Sequence, residues 1–115
     1  IARHNRLGIR AAAFNGLTLT GWTLLESNDG SGLMVNMEDH CHDLILDKAW
    51  IEGNNVIFSS VNDAVFVQPD LPGMYLNFFT MRHVIFNGGR GNISTSNVNH
   101  LKYERVKWND GTYYP

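Results

Sequence analysis

Four segments of this chain carry the same pattern of apolar residues, and this repeat constrains the fold more than any other feature. The segments align without gaps: FNGLTLTGWTLLE begins at Phe14, CHDLILDKAWIEG at Cys41, LNFFTMRHVIFNG at Leu76 and VNHLKYERVKWND at Val98. Positions one, four, six, nine and eleven are apolar or aromatic in every copy. Alternation of this kind is typical of strands that bury one face. Each copy is therefore predicted to form a strand, a bend and a second strand.

Inserts of different length separate the copies, which start 27, 35 and 22 residues apart. Further short strands are predicted within them, in GLMVNM, NVIFSSV, AVFVQ and GNISTSN, and GIRAAAF resembles the end of an earlier turn. About three strands per turn, with stacked apolar columns, predict an all-β, right-handed parallel β-helix of about four turns. We expect one domain over residues 1–115, with a long insert at 54–75, as a segment of a longer β-helix. The alternative is an antiparallel β-sandwich.

The segment DHCHD at residues 39–43 has the composition of a metal site, but the repeat argues against one. Cys41 falls in an inward column, where a free cysteine acts as a small hydrophobic residue. His42 shares the next column with three asparagines, which predicts a ladder of side chains at a bend, and His40 should face outward. Since a zinc site needs three or four convergent ligands, no metal and no cofactor are expected.

One outward column contains Asp47, Arg82 and Glu104 on successive copies. The simplest interpretation is a ladder of exposed charges, worth under about 1 kcal/mol per pair. The functional interpretation is a glycosidase pair, because Asp47 and Glu104 would lie about 9–10 Å apart at the backbone and inverting enzymes separate their carboxyl groups by roughly 6.5–9.5 Å. Arg82 between them favours two ionised carboxylates, whereas a general acid must be protonated. Other candidates are the acidic residues of the inserts, namely Asp29, Glu38, Asp39, Asp63 and Asp70.

A second set of outward positions places Ile45, Trp50 and Ile85 close together and predicts an exposed apolar patch. Such a patch is typical of an interface with a neighbouring chain. Trp50 could instead stack on a sugar with Arg82 nearby, or the long insert could cover the patch. The repeat alone leaves these three alternatives open.

The segment HDLILDKAWIEGNN, followed by NFFTMRHVIFNGGRGNISTSNVNHLKYERVKW, resembles turns of the pectin-lyase-like parallel β-helix superfamily. Within that superfamily it is most similar to bacteriophage tailspikes and related polysaccharide-degrading proteins. The resemblance covers about residues 9–110 and concerns architecture more than activity. It implies a homotrimer in a virion tail or, alternatively, a secreted protein. The aspartate cluster of the metal-dependent lyases in this superfamily has no clear equivalent here.

The resemblance implies a module that recognises, and in some members degrades, a bacterial surface polysaccharide. One alternative is an assembly or adhesin solenoid without a sugar site, and another is the catalytic part of a secreted hydrolase or lyase. Scattered Lys and Arg residues and a net charge of −2 argue against nucleic acid, and the apolar runs are too short to span a membrane.

Overall fold

A computed structural model describes residues 1–5, 8–12, 14–28, 31–37, 41–54, 65–69, 73–89, 97–108 and 110–115. These residues form ten strands and contain no helix: β1 Ala2–Arg3, β2 Ile9–Ala11, β3 Asn15–Leu19, β4 Thr23–Glu26, β5 Leu33–Met37, β6 Cys41–Asn54, β7 Val65–Pro69, β8 Leu76–Gly89, β9 Val98–Lys107 and β10 Tyr113–Tyr114. The protein is all-β, as predicted.

The strands form two sheets, and the chain alternates between them from β1 to β8. The larger sheet has the order β1-β4-β6-β8-β9-β10, and β3 pairs with β6 beside β4. The smaller sheet has the order β2-β5-β7. Every pair is parallel except the pair of β9 with β10. This arrangement contradicts the antiparallel sandwich, because the main sheets of a sandwich consist of antiparallel neighbours.

The register of the larger sheet confirms the predicted columns for three of the four copies. We call the copies rungs 1 to 4, starting at Phe14, Cys41, Leu76 and Val98. From rung 2 to rung 4, each apolar position covered by the ladder pairs with its predicted equivalent. The register partners are Cys41, Leu76 and Val98; Leu44, Phe79 and Leu101; Leu46, Met81 and Tyr103; and Ala49, Val84 and Val106.

Rung 1 departs from the alignment in its second half. Leu19 pairs with Leu46 as predicted, but Thr23 pairs with Ala49, so rung 1 contains one extra residue at the bend. The gapless prediction that Trp22 lies in the core column is therefore wrong, and Trp22 is 53% exposed. The inward position that we assigned to Leu24 belongs to Leu25, which is fully buried.

The long strands bend at regular intervals through residues in the left-handed conformation. On β6 these residues are Asp43, Lys48 and Gly53, five positions apart, and the equivalent sites on β8 and β9 follow the same spacing. On those two strands the left-handed residues are Phe78, His83, His100 and Arg105. A left-handed residue with a Cβ costs roughly 1–2 kcal/mol. The stacked backbone must therefore offset this cost at each bend.

The interior is a continuous column of apolar side chains between the two sheets. Leu44 and Phe79, on successive rungs, are fully buried, as are Val35 and Val65 on the smaller sheet. Cys41 is also fully buried, which confirms its predicted inward position.

An aromatic cluster closes the interior at rung 4. Trp108 stacks on Phe86 with ring centroids 5.3 Å apart, and Tyr103 meets the edge of Trp108 at 5.1 Å. Tyr114 on β10 covers Tyr103 at 5.6 Å. Edge-to-face and offset aromatic pairs of this kind contribute about 0.5–1.5 kcal/mol each beyond their buried area.

Burial in this cluster raises the pKa of Tyr103 above its ordinary value of 10.0. The folded state thus favours the neutral phenol, and its stability is complete below pH 10 and falls as the pH rises toward the folded pKa. When the pH is raised from 8 to 11, the variant Tyr103→Phe should lose less free energy of unfolding than the unaltered protein, as measured by urea unfolding. Tyr75→Phe, at an exposed position, is the matched control and should keep the full alkaline loss. Equal losses in the two variants would contradict the placement of Tyr103.

A ladder of buried asparagines joins the rungs at a second bend. The Oδ1 atom of Asn54 accepts hydrogen bonds from the backbone N–H of Asn28 at 3.1 Å and from its Nδ2 at 2.8 Å. Asn54 Nδ2 donates to the carbonyl of Leu25. The same pattern recurs at Asn28, whose Oδ1 accepts a hydrogen bond from the N–H of Asn5 and whose Nδ2 donates to the carbonyl of Ala2. The side chains thus supply partners for backbone groups that the bend leaves free.

Gly32 leaves room for this ladder, since a Cβ at that position would lie 2.9 Å from Asn54 Nδ2. The predicted column of His42 with asparagines exists as well. His42 pairs in register with Asn15 and Asn77, and Asn99 Nδ2 donates to Asn77 Oδ1 at 3.2 Å. That second ladder is exposed, so it contributes less to stability.

Part of the long insert belongs to the smaller sheet, because β7 extends the pairing of β5. β5 and β7 correspond to two of the predicted insert strands, GLMVNM and AVFVQ. The other two, in NVIFSSV and GNISTSN, fall almost wholly outside the described residues.

Candidate functional site

A groove of about 240 Å³ runs along the outer face of the larger sheet, across the rungs. Its lining comprises Trp22, His83, Ile85, Arg105, Lys107 and Tyr113. None of the acidic residues that the structure describes is part of this lining. The groove therefore combines aromatic surface with positive charge, which is unusual on a chain whose net charge is −2.

The register explains why these side chains meet. Lys48, His83 and Arg105 occupy the same left-handed site on rungs 2, 3 and 4, and we call them the cationic column. Trp22 occupies the equivalent site on rung 1. It directly precedes Thr23, and Lys48 directly precedes Ala49, the register partner of Thr23. The neighbouring outward column lies two residues further along the strands than the cationic column. It contains Ile85 and Lys107, which are register partners.

The aromatic side chains are exposed. Trp22 is 53% exposed at the rung 1 end, and Tyr113 is 56% exposed at the rung 4 end. The turn before β10 places Tyr113 there: Trp108 N–H donates to the Thr112 carbonyl at 2.8 Å, and the Tyr113 backbone pairs with Lys107. In the same turn, the N–H of Thr112 donates to Asp110 and lowers the pKa of that carboxyl group.

The cations of the groove have no acidic partner among the described residues. Within the described residues, one ion pair joins Arg82 to Asp47 and another joins Arg3 to Glu26. Neither pair includes Arg105 or Lys107. The basic side chains of this site follow one another about 4.8 Å apart along the stack, with the imidazole of His83 between Lys48 and Arg105. An anion in the groove would pair with the exposed cations.

The predicted charge column lies beside the groove. Asp47, Arg82 and Glu104 are register partners on rungs 2, 3 and 4. Arg82 Nη2 lies 3.7 Å from Asp47 Oδ2, and both side chains are partly exposed. Arg82 Nε is buried and has no hydrogen-bond partner in the described part of the chain. The three residues thus stack in register, the observed ion pair joins Arg82 to Asp47, and Arg82 separates the two candidate catalytic carboxylates.

Trp50 is less accessible than the sequence suggests. It is half-buried, and its Nε1 donates to Glu52 Oε2 at 3.0 Å. Asn87 Nδ2 donates to the other oxygen of Glu52 at 3.1 Å and so links the neighbouring rung. Ile45 and Ile85 are half-buried too, so the expected exposed patch is largely covered. Arg82 lies on a different outward column from Trp50.

The DHCHD segment is described only in part. Cys41 is buried, and His42 belongs to the exposed asparagine ladder, whereas Asp39 and His40 lie outside the described residues. Within the described ranges no three His, Cys, Asp or Glu side chains lie close enough to hold a metal ion. All the acidic insert candidates also fall outside them, namely Asp29, Glu38, Asp39, Asp63 and Asp70. No helix in the described part of the chain is long and apolar enough to cross a membrane.

The sequence prediction missed the groove because it allowed no gap in rung 1. A single gap would align TLLESN, starting at Thr23, with AWIEGN, starting at Ala49, so that the glutamates and the ladder asparagines match. That alignment moves Trp22 out of the core. Arg105 and Lys107 carried no signal of their own, since single basic residues on outward positions are common.

Searches against protein-family models, curated proteins and solved structures give no match to this chain.

Proposed function

We propose that this chain is a segment of a right-handed parallel β-helix that recognises a bacterial surface polysaccharide, in the manner of a bacteriophage tailspike. The parallel, in-register rungs and the alternation of the chain between two sheets support the solenoid. The observation that carries the function is the groove with exposed Trp22 and Tyr113 on a rigid sheet. Aromatic rings with a polar edge suit the apolar faces and hydroxyl groups of sugars.

The groove favours binding over a purely structural role. Trp22 and Tyr113 remain about half exposed, while the other two tryptophans, Trp50 and Trp108, are half-buried. Arg105 and Lys107 are exposed and have no acidic partner among the described residues, so they are available to a ligand.

Trp22→Ala and Tyr113→Ala should each weaken glycan binding. Loss of a stacked aromatic anchor costs about 1–2 kcal/mol, which corresponds to roughly a tenfold rise in Kd. Isothermal titration with polysaccharides from several bacterial surfaces measures the effect. Tyr75→Ala is the control, because Tyr75 is 41% exposed and does not line the groove. If all three variants bind like the unaltered protein, the groove is not the glycan site.

Degradation of the bound glycan is a separate element of the proposal. Asp47 and Glu104 lie two rungs apart beside the groove, at a backbone separation of about 9–10 Å, close to the carboxyl spacing of inverting glycosidases. Turnover assays with Asp47→Asn and Glu104→Gln test this pair, and full activity in both variants would exclude it.

Side-by-side trimerisation completes the proposal. The observation that supports a trimer is a pair of stacked rings on another outward column. The ring of Phe78 lies on that of His100, with ring centroids 4.7 Å apart. Phe78 is 52% exposed, so this surface is available to a neighbouring chain. Light scattering distinguishes a trimer, at three times 13.0 kDa, from a monomer. Such a trimer would be placed in a virion tail or, alternatively, outside the cell.

A further inference from the structure

The basic residues of the groove indicate the charge of its ligand. Arg105 and Lys107 line it, and neither has an acidic partner among the described residues. His83 lines it as well, and Lys48 extends the same column by one rung. Guanidinium and ammonium groups donate hydrogen bonds and accept none, and their strongest partners are anionic acceptors such as carboxylates.

The arrangement of the charges indicates a linear partner. Members of the cationic column follow one another along the stack at intervals of about 4.8 Å, perpendicular to the strands. Trp22 and Tyr113 lie at the two ends of the groove along the same direction. A small anion would satisfy one or two of these groups, whereas a chain with repeated acidic groups satisfies successive ones.

We propose that the groove binds an acidic polysaccharide that lies along the stack of strands. Its carboxylate or sulfate groups would contact Lys107 and the cationic column, which includes Arg105. This inference rests on the proposed function and narrows its ligand from glycans in general to polyanionic ones. Single-stranded nucleic acid combines negative charge with stacking bases, but the chain has a net charge of −2 and a pI near 6.2.

The test compares acidic polysaccharides with their neutral counterparts. Hyaluronan, alginate and colominic acid, each before and after carboxyl reduction, are titrated into the full chain at 50 and 300 mM salt. We expect at least one acidic form to bind, its reduced form to bind at least about tenfold more weakly, and salt to weaken the acidic complex, because screening at high ionic strength reduces exposed charge interactions.

Charge variants locate the interaction. Arg105→Gln and Lys107→Gln should each weaken binding of the acidic glycan about tenfold, since a hydrogen bond to a charged group contributes that much. Neither should lower the melting temperature, because both side chains are exposed and have no acidic partner among the described residues. Lys102→Gln, on an exposed position outside the groove, is the matched control and should bind normally.

Each contrary result has a distinct meaning. Equal binding of the acidic and reduced forms would overturn the inference and leave the proposed function in place. Absence of binding to every glycan would overturn the proposed function and the inference with it. Tighter binding of single-stranded RNA than of any acidic glycan would overturn the assignment of the ligand class.

Discussion

Phe79→Ala is expected to lower the free energy of unfolding by about 3–5 kcal/mol, the range typical of phenylalanine truncation in a packed core. Phe79 is fully buried on rung 3 and lies between its register partners Leu44 and Leu101. Its truncation leaves a cavity in the middle of the apolar column, where close packing limits how far the neighbouring side chains can relax. Urea unfolding followed by circular dichroism measures the loss.

Phe78 provides the control, because it is the same residue type one position earlier. It is 52% exposed and in the left-handed conformation, and its ring stacks on that of His100. Phe78→Ala should therefore cost no more than about 1 kcal/mol. If Phe79→Ala does not fold, Phe79→Leu should still show a smaller loss in the same direction. A larger loss for Phe78 than for Phe79 would mean that the strand is shifted by one residue.

Asn54→Ala is expected to cost about 3 kcal/mol, although it changes a polar residue. The substitution removes the acceptor of the buried Asn28 N–H and the donor to the Leu25 carbonyl. Each buried polar group left without a partner costs about 1–3 kcal/mol. Asn54 is 1% exposed, so water cannot replace the lost partners without opening the bend.

Asn77→Ala is the matched control for the ladder. Asn77 is partly exposed, and its Oδ1 accepts one hydrogen bond, from Asn99 on the next rung. Because water can take over that bond, the expected loss is about 0.5 kcal/mol or less. Thermal unfolding of both variants measures the difference. Similar losses for Asn54 and Asn77 would contradict the distinction between a buried and an exposed ladder.

The repeat made most of the larger sheet predictable from sequence. A column such as Leu44, Phe79 and Leu101 stays apolar because each member packs on its neighbours, and this coupling is visible as periodicity. The buried ladder is also encoded, in the SN of residues 27–28 and the GN of residues 53–54, but the sequence analysis predicted only the column of asparagines that contains His42. Both columns are rich in asparagine, and only burial distinguishes them.

The groove was harder to predict because it depends on one inserted residue and on two outward columns meeting. Gly21 and Trp22 both adopt positive φ, so the extra residue is absorbed in the bend and Trp22 turns outward. Tyr113 reaches the groove through an antiparallel pairing with β9 that the parallel repeat does not predict. Periodicity describes inward positions well, whereas contacts between outward positions leave no comparable pattern.

Every inference about the groove depends on the parallel register of the rungs, and a disulfide between rungs 3 and 4 tests that register most directly. Thr80 and Lys102 are partners on β8 and β9, so their Cα atoms should lie about 4.8 Å apart, within the 4.4–6.8 Å that a disulfide spans. The control pairs Thr80→Cys with Lys107→Cys, five positions out of register. Mild oxidation should close the 80–102 disulfide in nearly all molecules and leave the control open, as shown by peptide mass spectrometry. Closure of the control, or failure of the 80–102 pair to close in the folded protein, would contradict the stacked rungs.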